Sequence, residues 1–321
     1  MVAAAIAGGV LSGCGPDQPQ GEALTLVVQR QPWVGPNLRG QQIVSENYRI
    51  YSTLKSPQLR DVLPGFMEAS HRNYLRLTGM EPPAEPQAMP LYVMGSKSEW
   101  ESLTRHLIRN PGQQGITLQA GGYCYKGVCV LFDMGGLGTL LVAAHEGCHQ
   151  FLHHRLADSL PMWLEEGLCT VSEGYQISDN RVTFTPTANP VRFSDLRNAL
   201  LAQRWIPTAE LLSMDSGDAL RKPQHESVGY YGQVWALVQF LRSDERYRPR
   251  LERMLADARD GKFNEALGLP PEALPKLRTM GREYNRHVSR PLFAHYITDD
   301  LETFDREYKA FARDLAGLDP L

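Results

Sequence analysis

The stretch GTLLVAAHEGCHQFLHHRLA, residues 138–157, constrains the fold more than any other part of the chain. Thr139 to Ala144 supply the apolar face of a buried helix, and His145, Glu146 and His149 then follow in H-E-x-x-H spacing. Residues four apart share a helix face, so the two imidazoles converge while Glu146 projects beside them. A polar trio inside an apolar helix is costly unless something satisfies it. The chain must therefore bring partners to this helix, and a metal ion is the partner this spacing suits.

A catalytic zinc takes three protein ligands and keeps one position open. His153 lies four residues past His149, but a straight helix carries it about 6 Å further along the axis, too far to share the ion. His154 faces elsewhere, and both histidines read as bystanders. A better source of the third ligand is LPMWLEEGLCTVSEG, residues 160–174. Pro161 opens a second helix that carries Glu165 and Glu166, and Gly167 permits close helix approach. Periodicity alone leaves Glu165 and Glu166 equal.

Two patterns together, H-E-x-x-H and the later W-L-x-E-G of Trp163 to Gly167, resemble the gluzincin clan of zinc metallopeptidases. More closely, the chain is similar to the peptidase-MA-like family of uncharacterised gluzincin-type domains. That resemblance runs from about residue 46 to 245 and includes Tyr231, Gln233 and Trp235 in GYYGQVWALVQFL. It implies an α+β, zincin-like fold: a small mixed N-terminal β-sheet with helices, a mainly α-helical C-terminal half, and the zinc site on two helices between them. It also implies one Zn2+ per chain on His145, His149 and Glu166, with Glu146 as general base. Tyr231 is implied as the phenol that stabilises charge on the carbonyl oxygen, with Tyr230 and His225 as substitutes and plain core packing as the bland alternative. A carboxylate one turn past the third ligand often orients a zinc histidine in this clan; here Thr170 stands there, with Glu173 a turn further on.

The function implied is hydrolysis of a peptide or protein substrate outside the cytoplasm. The strand VCVLFD, residues 128–133, precedes the zinc helix and is expected to be the edge on which an extended substrate pairs. The rival is a non-catalytic zinc-binding lipoprotein acting as a scaffold or binding module, with Cys148 or Cys169 closing the fourth position. Cys148 lies 60–100° around the helix from the histidines at about 100° per residue, which turns it aside. Another zinc hydrolase of the cell envelope is a third possibility.

Charge excludes some partners. A net charge of −3 with no basic stripe gives no electrostatic case for nucleic acid. Residues 1–14, MVAAAIAGGVLSGC, resemble a lipoprotein signal peptide whose lipobox ends at Cys14, which places the protein in the cell envelope on a lipid anchor. Residues 15–40 read as a flexible tether, 41–136 as the N-terminal α+β half, 137–245 as the helical half with the zinc site, and 246–321 as a helical extension.

Four cysteines remain. A two-residue turn at Lys126-Gly127 sets Cys124 opposite Cys129, a non-hydrogen-bonded pair suited to a disulfide. Cys148 and Cys169, each one turn past a ligand, are then left to lock the two ligand helices together; four free thiols are the alternative. Ser56 with Pro57 predicts a helix start, Ser96 or Ser98 another, and Thr298 or Asp299 the cap of the last helix.

Overall fold

The computed structural model describes residues 21–108, 121–214, 224–274 and 282–318; Cys14 lies outside them. The architecture is mixed α+β, with two sheets in the N-terminal half and helices in the C-terminal half. The main sheet contains β2 (Gln29–Gly35), β3 (Leu38–Val44), β4 (Tyr48–Ser52), β5 (Met89–Met94), β6 (Gly122–Tyr125) and β7 (Val128–Phe132). Their order is β2-β3-β4-β5-β7-β6, with β4, β5 and β7 parallel and the other pairings antiparallel.

Strand alternation divides this sheet into two apolar faces. Leu91, Val93, Cys129 and Leu131 face α1 (Pro57–Thr78) and α3 (Gly136–Arg155), whereas Met94, Val130 and Tyr123 meet α2 (Lys97–Leu107). Helix α1 begins where expected, with Ser56 accepting a hydrogen bond from Leu59 N and Pro57 in the first turn. Ser96, not Ser98, caps α2 by accepting from Glu99 N. The β6–β7 turn falls on Lys126 and Gly127, both at positive φ (51° and 75°), which is type I′ chemistry and needs the freedom of glycine at its second position.

The expected tether is corrected from residue 21 onward. Leu24 is 1% exposed in the core, and β1 (Glu22–Ala23) pairs with β9 (Arg181–Phe184) in a small sheet of order β1-β9-β8 that includes β8 (Tyr175–Ser178). Residues 29–44 form the β2–β3 hairpin, whose Pro36-Asn37 turn places Asn37 at φ 56°. β2 is polar, largely exposed and contains Pro32, a combination that strands carry only at a sheet edge.

The helical half consists of α3, α4 (Met162–Ser172), α5 (Pro190–Leu201), α6 (Thr208–Leu211), α7 (Gln224–Ser243), α8 (Arg248–Asp260), α9 (Phe263–Ala266), α10 (Arg282–Tyr296) and α11 (Leu301–Leu315) among the described residues. Residues after 245 belong to the same core as α4 and α7: Trp163 meets Phe293 at 5.5 Å, and the Tyr308 hydroxyl donates to Gln233 O. Asp300, rather than Thr298 or Asp299, caps α11 through Thr303 N. His225 falls on the first turn of α7, not in a loop before it.

Gly167 explains how closely α4 meets α7. A Cβ there would lie 2.4 Å from Val238 Cγ2 and 2.8 Å from Val234 O. Replacing Gly167 with valine should overpack this contact and destabilise the protein by about 1–3 kcal/mol, read from urea denaturation of both variants.

Candidate metal centre

Helix α3 is pinned immediately before its polar trio. The Ala144 carbonyl accepts hydrogen bonds from the Tyr74 hydroxyl at 2.7 Å and the Ser172 hydroxyl at 3.0 Å, which ties α3 to α1 and α4. One turn on, Gln150 Nε2 donates to Pro90 O and Gly127 O, fixing the same helix to the sheet. The start of α4 is held from far away: Asn285 Oδ1 accepts from Met162 N, while its Nδ2 donates to Met214 O.

These anchors bring together three of the predicted residues. His145 Nε2 and His149 Nε2 are 3.3 Å apart, and Glu166 Oε2 lies 3.4 Å and 3.6 Å from them. The group His145, His149 and Glu166 can hold a metal ion. Glu166 Oε2 is buried without a hydrogen-bond partner, although it stands among two imidazoles. A buried carboxylate oxygen left in that state calls for a cation.

The other nitrogens show why. His145 Nδ1 meets Glu173 Oε1 at 2.8 Å, and His149 Nδ1 meets Glu165 Oε1 at 2.8 Å. An imidazole that donates from Nδ1 to a carboxylate presents its Nε2 lone pair in the neutral form. Three lone pairs then point at one spot. Both acids of W-L-E-E-G are thereby used: Glu166 joins the cluster, and Glu165 orients His149.

Glu173 has no solvent contact and four donors. Its Oε1 accepts from His145 Nδ1 and Arg192 Nη2, and its Oε2 from Arg192 Nε at 2.8 Å and Asn189 Nδ2 at 3.0 Å. All lone pairs of the carboxylate are engaged, so its position is fixed. Asn189 also caps α5 by accepting from Arg192 N, so the same cap that starts the helix aims both donors. Glu173 therefore orients His145, and Thr170 instead hydrogen-bonds back to Glu166 O and Gly167 O within its own helix.

The charges respond to this packing. Burial disfavours an imidazolium at His145, but the carboxylates of Glu166 and Glu173 beside it outweigh that and push the group up to about 9. His149 moves up as well, where the carboxylates of Glu165 and Glu166 outweigh burial. Burial raises Glu146; the charges of Glu166 and Glu173 add to that, and the two histidines oppose it.

Tyr231 projects from the α7 face that carries Val234 and Val238, the residues packed on Gly167. Its phenol is pushed well up by burial and then by the charges of Glu166, Glu146 and Glu173, while the Arg192 guanidinium, 5.2 Å over the ring, works the other way. It stays a protonated donor beside the cluster. Gln233 and Trp235 of the same motif are structural: Gln233 exchanges two hydrogen bonds with the Ile206 backbone, and Trp235 Nε1 donates to Pro186 O.

Neither expected disulfide is formed, since Cys124, Cys129, Cys148 and Cys169 are free thiols. Cys124 is directly opposite Cys129, and Cys148 of α3 and Cys169 of α4 are buried in the same core. Burial pushes the Cys129 and Cys169 thiols well up, which withholds the thiolate that disulfide formation needs. His154 bonds Gly127 O from the far end of α3.

A family model described as a protein of unknown function (DUF1570) matches residues 140–258. The match covers the metal cluster, the acids that orient it, Arg192 and Tyr231. No curated protein and no solved structure matches the chain.

Arg192 and Asn189 were not signalled by any spacing, because both act through Glu173 from another helix. Arg192→Met should weaken metal binding about 10–100-fold in a chelator competition, while Gln233→Ala lowers stability and leaves that affinity in place. Metal-free protein carries a further signature. His145 at about 9 lies above its ordinary 6.5, so its stabilisation is full below pH 6.5 and is lost as pH rises through 9. Thermal melts should show the metal-free protein losing stability over that window, and the metal-loaded protein not.

Proposed function

We propose that the chain is a zinc-dependent metallopeptidase of gluzincin type, acting on peptide bonds outside the cytoplasm from a lipid anchor on Cys14. One observation carries the reading: His145, His149 and Glu166 aim three lone pairs at one point, with Glu146 beside it. A tetrahedral ion with bonds of about 2.0–2.2 Å separates its ligands by about 3.3–3.6 Å. The distances of 3.3, 3.4 and 3.6 Å fall in that range.

When bound, zinc supplies Lewis-acid polarisation of a carbonyl and an acidified water. The chain's own residues do the rest. Glu146, raised by burial, accepts a proton near neutral pH and returns it to the departing amine. Tyr231 donates its phenolic hydrogen to the oxygen on which charge develops. Glu165 and Glu173 hold the imidazoles with Nε2 exposed, and Arg192 with Asn189 keeps Glu173 still.

The substrate's place differs from the expected one. VCVLFD is interior, because β7 lies between β5 and β6; the outer strand is β6, GYCY. Among the described residues nothing pairs with its outer edge, and a Cβ at Gly122 would lie 3.2 Å from Glu146 Cγ. An extended peptide hydrogen-bonded there would pass beside the general base. The metal group contains neither Cys148 nor Cys169, which disfavours a closed, purely structural site.

Glu146→Gln should retain zinc by metal analysis and lose peptide hydrolysis. Tyr231→Phe should lower kcat by about 10²-fold with little change in KM. Unchanged turnover in Glu146→Gln, or a sulfur ligand in the zinc spectrum, would overturn the reading.

A further inference from the structure

A cavity of about 400 Å³ lies between the C-terminal half of α3, the start of α4 and α10. Such a volume suits a large side chain or a small ligand. Its wall includes Leu152, His153 and Leu156 from α3, Met162 and Glu165 from α4, and Asp158 from the loop between them. Leu152, His153 and Leu156 lie within about 60° of the His149 direction at 100° per residue, so the cavity continues the helix stripe that carries the metal ligands. Its place beside His149 is therefore set by helix geometry and by Glu165, which lines the cavity and meets His149 Nδ1.

Strand β6 runs beside the same stripe. It starts at Gly122, next to Val142 and Glu146, and reaches the turn at Gly127, next to His153 and His154. A peptide paired antiparallel to its free edge would run the other way, its amino-terminal side at the His153 end. From Glu146 to His153 is seven residues of helix, about 10 Å. An extended chain covers that in roughly three residues.

The cavity has a definite electrical character. Glu165 and Asp158 line it, and no lysine or arginine does. Asp158 gives one oxygen to Phe263 N, and Glu165 gives one to His149 Nδ1. Asp158 has no cationic side chain as salt-bridge partner among the described residues, and Glu165 pairs with the His149 imidazole through Oε1 alone, which leaves its Oε2 to the cavity, while Leu152, Leu156, Leu160 and Met162 suit a methylene stem.

We propose that this cavity is a substrate subsite for a basic side chain, lysine or arginine, two or three residues on the amino side of the scissile bond, with Glu165 as its counter-ion. The proposal rests on the peptidase reading. It also makes Glu165 a shared acid, which holds a metal ligand with one oxygen and meets the substrate's charge with the other.

The test uses zinc-loaded full-length protein and quenched fluorescent peptides that differ only in one residue, arginine, lysine, norleucine or glutamate, two or three places before the cleaved bond. Arginine and lysine should raise kcat/KM at least tenfold over norleucine, with glutamate poorest. Ser159 also lines the cavity, and Ser159→Lys, which puts a cation into its wall, should erase that preference or invert it. Because that variant can fail to fold, zinc-loaded Glu146→Gln is also titrated calorimetrically with Nα-acetylargininamide and Nα-acetylnorleucinamide; only the first should bind. Cleavage with equal kcat/KM across the series, or equal binding of the two amides, overturns the subsite and leaves the peptidase reading standing. Zinc-loaded protein that cleaves none of the peptides overturns both.

Discussion

The centre of this protein is a problem of charge. Glu165, Glu166 and Glu173 pack around His145 and His149 with little water, and such a set cannot remain net negative in a low-dielectric setting. Something positive must enter, and the choice lies between protons on the imidazoles and a metal ion among their Nε2 atoms and Glu166. The rise of both histidines without metal expresses the same demand. Arg192 answers part of it from behind, with both Glu173 oxygens in its fork. Helix approach at Gly167, the Ala144 anchors and the cap at Asn189 all serve to keep those charges at their distances.

Local rules made much of this legible. The H-E-x-x-H spacing marks one helix face, Ser56 and Ser96 are side-chain caps, and Lys126-Gly127 is a hairpin turn. Each depends on residues a few positions apart, so the sequence displays it directly. Glu165 and Glu166 could not be separated by periodicity. Resemblance assigned Glu166 to the cluster, but only the packing of α4 on α3 gives Glu165 its role with His149.

What stayed hidden is non-local. The strand order that places β6 outside β7 depends on which hairpin strand pairs with β5, and hairpin strands carry no label for inside and outside. β2 escapes the sequence reading because it is an exposed edge, with little alternation beyond Trp33 and interrupted by Pro32. Arg192 stands in the first turn of α5, where the sequence has no periodic signal, and its partner, 19 residues away, is the C-cap of α4. Cys124 and Cys129 are the cross-strand neighbours that the hairpin turn predicts, yet adjacency by itself does not make a disulfide.

The hydrogen bond from Met162 N to Asn285 has a consequence for how the molecule comes into being. It joins residues 123 apart, and the start of the helix that carries Glu165 and Glu166 depends on it. Contacts of such high sequence separation close late, after local helices and hairpins have formed. As the chain emerges in synthesis, α3 can present its two histidines while α4 still lacks the residue that fixes its first turn. The group that can hold a metal ion thus gains its last anchor only when α10 docks.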